Sequence, residues 1–205
     1  MTVTLGRRPS RYSDAATERG VFSANAMVLT PGGPKLLGEI KDRDLVVSHD
    51  QGTVMVVGRK RTAISSGRGN SPIRIAEIGT PPFCVSPITL FMANSLSYRE
   101  KFGSEEVLVR AASLRNDDMG GIANVEETEF ISISLQHSAM LYVNGFVCEY
   151  SPASSGDDYH MGAAFASRPT RANKYPILSD EEASLLYDAA GGAANALKFF
   201  RWGNS

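Results

Sequence analysis

Between Val21 and about Pro152, short apolar runs alternate with clusters of Gly, Pro, Asn and Asp. Runs rich in Val, Ile and Phe and bounded by turn formers read as β-strands. The pattern predicts strands at Met27–Leu29, Leu45–Ser48, Val54–Lys60, Ile73–Ile78, Val107–Arg110, Phe130–Leu135, Ala139–Val143 and Phe146–Tyr150. Asn144-Gly145 separates the last two and predicts a hairpin, because a type I′ turn needs positive φ at both central residues. Leu36–Ile40 reads as a single helical turn. Val107–Leu114 reads as starting extended and ending in a turn through Ala111 and Ala112. Most strands have no helix-length segment between them, which argues against a parallel α/β fold. The expected class is mainly β: a compact all-β domain with a C-terminal helical extension.

The flanks differ in pattern. Residues 1–20 are polar, with Arg7, Arg8, Arg11 and Arg19 diluted by Asp14 and Glu18, and read as a loose, solvated arm. The β-domain is expected over residues 21–152, and residues 153–205 as a connector followed by a helix. Ser179 and Glu182 have the spacing of a capping box. Leu186, Ala190, Ala193, Leu197 and Phe200 then recur at helical spacing. Gly191-Gly192 interrupts them and weakens a helix by about 1 kcal/mol per glycine, which leaves a kink or break open there. The apolar face should dock on the β-domain or on a second copy. Phe199, Phe200 and Trp202 leave open a protein partner or self-association through this helix.

Composition narrows the function classes. Of the 205 residues, 42% are hydrophobic and 21% charged, a globular balance. The net charge of −1 favours neither nucleic acid nor an anionic membrane as partner. No apolar run approaches the roughly 18 residues of a membrane span. No apolar segment follows the N-terminal arginines as a secretory signal requires. A cytoplasmic location is therefore favoured. Two cysteines, Cys84 and Cys148, exclude a disulfide scaffold and a four-cysteine zinc site. A single bridge between them stays open beside the preferred reading, two reduced core cysteines.

Local catalytic motifs are missing. The chain contains no HExxH, GxSxG, Walker loop or GxGxxG. Gly32-Gly33 reads as a turn and Gly67–Asn70 as a loop, and neither is placed to aim amides at a phosphate. Asp157, Asp158 and His160 offer metal-ligand types within four residues, yet read as a polar loop. No metal and no cofactor are expected. His137 reads as a strand-end histidine, with general acid–base work as its functional alternative. Cys84 with His137 would make a thiol hydrolase pair, but Cys84 follows Pro81-Pro82-Phe83 as a core cysteine would.

The order of segments resembles a Hint domain, the module shared by hedgehog autoprocessing domains and inteins, and is closest to the bacterial hedgehog/intein type. Within Val21–Asp50, the residues Thr30, Pro31, Gly33, Leu37, Ile40, Asp44, Leu45 and Val46 fit the opening of such domains. Gly58–Ile64 and Pro72–Ala76 resemble the next β-rich part. VSPITLFM (Val85–Met92) is similar to the family's Ser-Pro-x-His strand, and Glu105–Leu114 to the segment that follows it. Glu129–Pro152 resembles the closing block, with His137, Gly145 and Glu149 at its fixed positions. The resemblance implies an all-β horseshoe and an N→S or N→O acyl shift. In that reaction the first side chain of the domain attacks the preceding carbonyl, and a motif histidine protonates the departing amine.

This sequence departs from the pattern at both reacting positions. Ten positions counted back from Thr30, both ends included, place Val21 where the nucleophile belongs. Thr89 stands where the motif histidine belongs. A shifted alignment makes Ser23 the nucleophile, but it deletes two residues from the turn and still lacks that histidine. The C-terminal end lacks the His-Asn pair and following nucleophile of intein splicing; Asn204-Ser205 closes the chain with no histidine before it. The resemblance therefore implies a catalytically degenerate domain acting as a structural or protein-binding module. No catalytic residue is assigned: Val21 and Thr89 are the degenerate positions. The alternative is self-processing by Ser23 assisted by His137.

Overall fold

A computed structural model describes residues 19–62, 71–76, 81–94, 99–100, 103–115, 120–122, 128–150 and 175–198. The first eight strands are β1 (Val21–Ser23), β2 (Met27–Thr30), β3 (Gly33–Leu36), β4 (Leu45–Ser48), β5 (Gly52–Thr62), β6 (Ile73–Ile75), β7 (Phe83–Val85) and β8 (Leu90–Asn94). The remaining five are β9 (Glu106–Arg110), β10 (Gly120–Ile122), β11 (Phe130–Leu135), β12 (Ala139–Val143) and β13 (Phe146–Tyr150). The helices are α1 (Asp180–Ala190) and α2 (Ala193–Ala196), with 3-10 turns at Leu37–Glu39 and Ala111–Leu114. Leu45–Ser48, Phe130–Leu135, Ala139–Val143 and Phe146–Tyr150 have the bounds that the sequence pattern predicts. Both expected turns form within their predicted segments.

Local chemistry explains the most regular part. Asn144 and Gly145 adopt φ of 47° and 89°, as the type I′ hairpin between β12 and β13 demands. Asn144 is also buried and ties the hairpin to its neighbours. Its Oδ1 accepts from the Met27 amide at 2.7 Å, and its Nδ2 donates to the Pro81 carbonyl at 3.1 Å. The short β2–β3 turn is held by the Thr30 hydroxyl, which donates to the Gly33 carbonyl at 2.7 Å.

The strands pair antiparallel in the order β10-β6-β7-β1-β11-β5-β4-β12-β13-β8-β9, with β2 on β12 and β3 on β2. The sheet curls into a half-barrel. The long strand β5 joins its two halves, pairing with β4 over Gly52–Met55 and with β11 over Val56–Thr62. A register shift opposite Ser134 and Leu135, which face Gly58 and Val56, leaves Val57 as an extra residue on β5. Inside the curl, the Phe22 ring stacks on Tyr150 at 5.4 Å and lies 6.2 Å from Phe83. Phe91 meets Phe146 edge-on at 5.8 Å. Each buried phenylalanine contributes about 1.5–3 kcal/mol of transfer free energy.

The C-terminal part packs on this sheet. Ser179 and Glu182 form the expected capping box: the Ser179 Oγ accepts from the Glu182 amide at 3.2 Å, and the Glu182 carboxylate accepts from the Ser179 amide at 3.0 Å. Ala183, Leu186 and Tyr187 are buried, and the Tyr187 and Ser113 hydroxyls lie 2.8 Å apart. The helix ends at Gly191, whose left-handed φ of 74° is cheap only for glycine. Here the structure corrects one expectation. The apolar spacing from Leu186 to Leu197 is not one helix face, because the chain makes a single further turn in α2 and becomes extended at Leu197. Leu197 then pairs antiparallel with Ala93 on β8. Upstream of α1, Ile177 pairs with Leu108 on β9. Single bridges at two points, together with the buried face of α1, fasten the extension in place of a continuous helix. Phe199, Phe200 and Trp202 lie outside the described residues.

Candidate functional site

The site is built around β1, a three-residue strand between β7 and β11. Val21 pairs with Ser132 and Phe22 with both Ile131 and Val85, so the strand is buried on each side. The Val21 side chain is fully buried. Its carbonyl accepts from the Ser86 amide at 2.9 Å. Ser86-Pro87-Ile88-Thr89 is a turn closed by the Thr89 amide on the Ser86 carbonyl at 3.1 Å, and Pro87 presets its second position. The turn brings the buried Thr89 hydroxyl to the chain just before β1, where Oγ1 accepts from the Gly20 amide at 3.1 Å. Residues almost seventy apart in sequence thus meet at the Arg19–Gly20 peptide, one bond before the peptide that joins Gly20 to Val21.

A charged pair completes the site. Arg19 Nη1 donates to Glu149 Oε2 at 3.1 Å. The Glu149 side chain, on β13, is only 2% exposed, whereas Arg19 retains access to solvent. Burial pushes the Glu149 carboxyl up, and the Arg19 guanidinium pulls it part of the way back. Among the described residues, Glu149 Oε1 and the buried Ser86 Oγ have no hydrogen-bond partner.

The other candidates lie differently. Ser23 is buried, and its hydroxyl accepts from the Cys84 amide at 2.8 Å, which ties β7 to β1. His137 is half-buried in the connection from β11 to β12. No hydrogen bond among the described residues links it to Val21, Ser23, Cys84 or Thr89. Cys84 and Cys148 are both free. Burial raises the Cys84 thiol, with Arg74 across the strand pulling weakly the other way, and raises Cys148 well above its ordinary value. A raised thiol is a poor nucleophile at neutral pH. The described residues contain no group of three metal-ligating side chains, and Asp157, Asp158 and His160 lie outside them.

The Hint domain family model matches residues 21–153. The chain belongs to the Hint domain family. Among solved structures, it is similar to a bacterial intein-like domain from Clostridium thermocellum, with 12% identity and a TM-score of 0.47 over 65% of this chain and 100% of that one. It is also similar to the gp41-1 intein, with 16% identity and a TM-score of 0.40 over 64% of this chain and 98% of that one. The MchDnaB-1 intein matches with 12% identity and a TM-score of 0.40 over 63% and 99% of the two chains. No curated protein matches the chain.

Within this Hint domain, Arg19 was not legible as a site residue, because it reads as the last arginine of a polar arm. Nothing in its neighbourhood points to a glutamate 130 residues away. A second cluster was equally hidden. His49 Nδ1 lies 3.0 Å from the Tyr142 hydroxyl, and His49 Nε2 lies 3.2 Å from Lys198 Nζ and 3.4 Å from Glu106 Oε1. Lys198 Nζ also donates to Glu106 Oε1. Burial alone would raise the Glu106 carboxyl, but Lys198 and His49 outweigh it and hold the group below the usual glutamate value.

Proposed function

We propose that this Hint domain does not cleave its own chain and serves as a structural or protein-binding module. The observation that supports this reading is the pair of side chains that flank Gly20, Val21 after it in the chain and Thr89 on its amide. On one side stands a buried valine, which has no atom to accept an acyl group. On the other stands a threonine hydroxyl, which does not titrate near neutral pH and takes the Gly20 amide as a hydrogen-bond donor. An acyl shift replaces an amide by a less stable ester or thioester, so it needs a positioned nucleophile and a proton donor. General acid–base catalysis, worth roughly 10²–10⁴-fold in rate, lacks its imidazole here.

Intact mass tests the proposal. The purified protein should stay at 22.1 kDa on incubation, and dithiothreitol or hydroxylamine should release no fragment. A break before Val21 or Ser23 that Ser23→Ala or His137→Ala abolishes would instead establish self-processing. In the constructive arm, Val21→Cys combined with Thr89→His should regain thiol-induced cleavage after Gly20.

A further inference from the structure

Three contacts hold the chain around Gly20 in place. The Gly20 amide is taken by Thr89 Oγ1, the Val21 carbonyl by the Ser86 amide, and the Arg19 guanidinium by Glu149. Gly20 itself adopts φ of 69°, a conformation strained for any side chain. A Cβ there would lie 3.1 Å from the Tyr150 ring, which is fully buried and stacked on Phe22 and so has little room to yield. The position therefore selects glycine twice, by conformation and by space. The preceding position selects a cation that can reach inward from solvent, because Glu149 is a buried carboxylate with one oxygen on Arg19 and the other unpartnered among the described residues. Arginine suits it, since its guanidinium reaches Glu149 Oε2 while the side chain keeps access to solvent.

We infer that the β1 site is a clamp for an arginine–glycine dipeptide, supplied in this structure by Arg19 and Gly20 of the chain itself. The inference deepens the reading of the domain as a non-cleaving module and rests on it: the clamp names what the module holds. It gives one use to three features of the site: the buried Glu149 that the family pattern places there, a left-handed glycine under an aromatic ring, and a buried hydroxyl on the Gly20 amide.

Amide hydrogen exchange on the full chain tests the clamp, with intact mass recorded on the same samples. In the wild type, the Gly20 amide should be protected along with those of Phe22 and Ile131. Thr89→Val, which removes the acceptor, and Glu149→Gln, which removes the charged partner of Arg19, should each speed Gly20 exchange about tenfold or more, the scale of one lost hydrogen bond to a charged or buried group. The Phe22 and Ile131 amides report whether each variant keeps its sheet. Gly20→Ala is the second route, and should free the residue-20 amide without altering Glu149 or Thr89. Gly20 exchange at the random-coil rate in the wild type, beside a protected Phe22, would overturn the clamp. So would unchanged Gly20 protection in Glu149→Gln and Gly20→Ala. Chain cleavage after Gly20 with the amide protected beforehand would defeat the non-cleaving reading alone, so the two failures are distinguishable.

Discussion

Two glutamates fasten the two flanks of this sheet, and they do so under opposite electrostatic conditions. Glu149 holds Arg19 at the N-terminal flank and is 2% exposed, with one cation on one of its oxygens. Glu106 holds Lys198 at the C-terminal flank, is 28% exposed, and has His49 as well as Lys198 beside it. Burial outweighs the single partner in the first case and raises the carboxyl. Two partners outweigh a lighter burial in the second and lower it. An ion pair therefore does not by itself stabilise a fold. Its sign depends on whether the partners replace the water that burial removes.

The comparison is broken most severely by removing the apolar base of the C-terminal flank. Leu186 is 1% exposed, and Leu186→Ala should cost about 2–5 kcal/mol in urea denaturation, as other buried leucine truncations do. A loss under about 1 kcal/mol would mean that strand pairing at Ile177 and Leu197, not the helix face, carries the docking. A smaller effect is expected at the cap, where Ser179→Ala should cost about 1 kcal/mol and Ser179→Asp should restore most of it.

The smallest effects are the most diagnostic, because they differ in sign. A carboxyl raised in the folded state contributes stability that is fully present below its unfolded value, 4.5 for a glutamate, and is lost as pH rises through the folded value. Glu149→Gln keeps the neutral form at every pH. It should therefore be at least as stable as the wild type at about pH 7.5, with the gap closing below about pH 4.5, even as it loosens Gly20 locally. A lowered carboxyl contributes stability that is present above the unfolded value and is lost as pH falls through the folded value. Glu106→Gln should therefore be less stable than the wild type at neutral pH, with the gap closing in acid. Denaturant midpoints across the pH range read both. If the two variants shift in the same direction, the contrast between the flanks is wrong.

Legibility in the sequence followed the range of the interactions. Strands β11, β12 and β13 and the turn between the last two were readable, because alternation and the Asn144-Gly145 pair act within a few residues. The short strands β1 and β7 were not, since Val21–Ser23 and Phe83–Val85 are extended by the neighbours that flank them. Gly33–Leu36 was missed for a similar reason: its GPKL sequence carries little strand signal, and it pairs through the turn at Thr30. Of the candidate site, Val21 and Thr89 were legible by segment order, but their meeting through Gly20 was not.

What the sequence determined alone is therefore local or chemical in kind. Positive φ at Asn144 and Gly145, the Ser179–Glu182 cap, the break at Gly191 and the character of the Val21 and Thr89 side chains all follow from residue identity within a turn or two of chain. Tertiary structure decided which of these groups face one another. Arg19 reaches Glu149, and Lys198 reaches His49 and Glu106, only because the curled sheet brings β13 beside the start of β1 and lays the last extended residues along β8. It also decided the sign of each carboxyl's shift, since desolvation depends on how much of the sheet closes over the group, and no neighbour in sequence reports that.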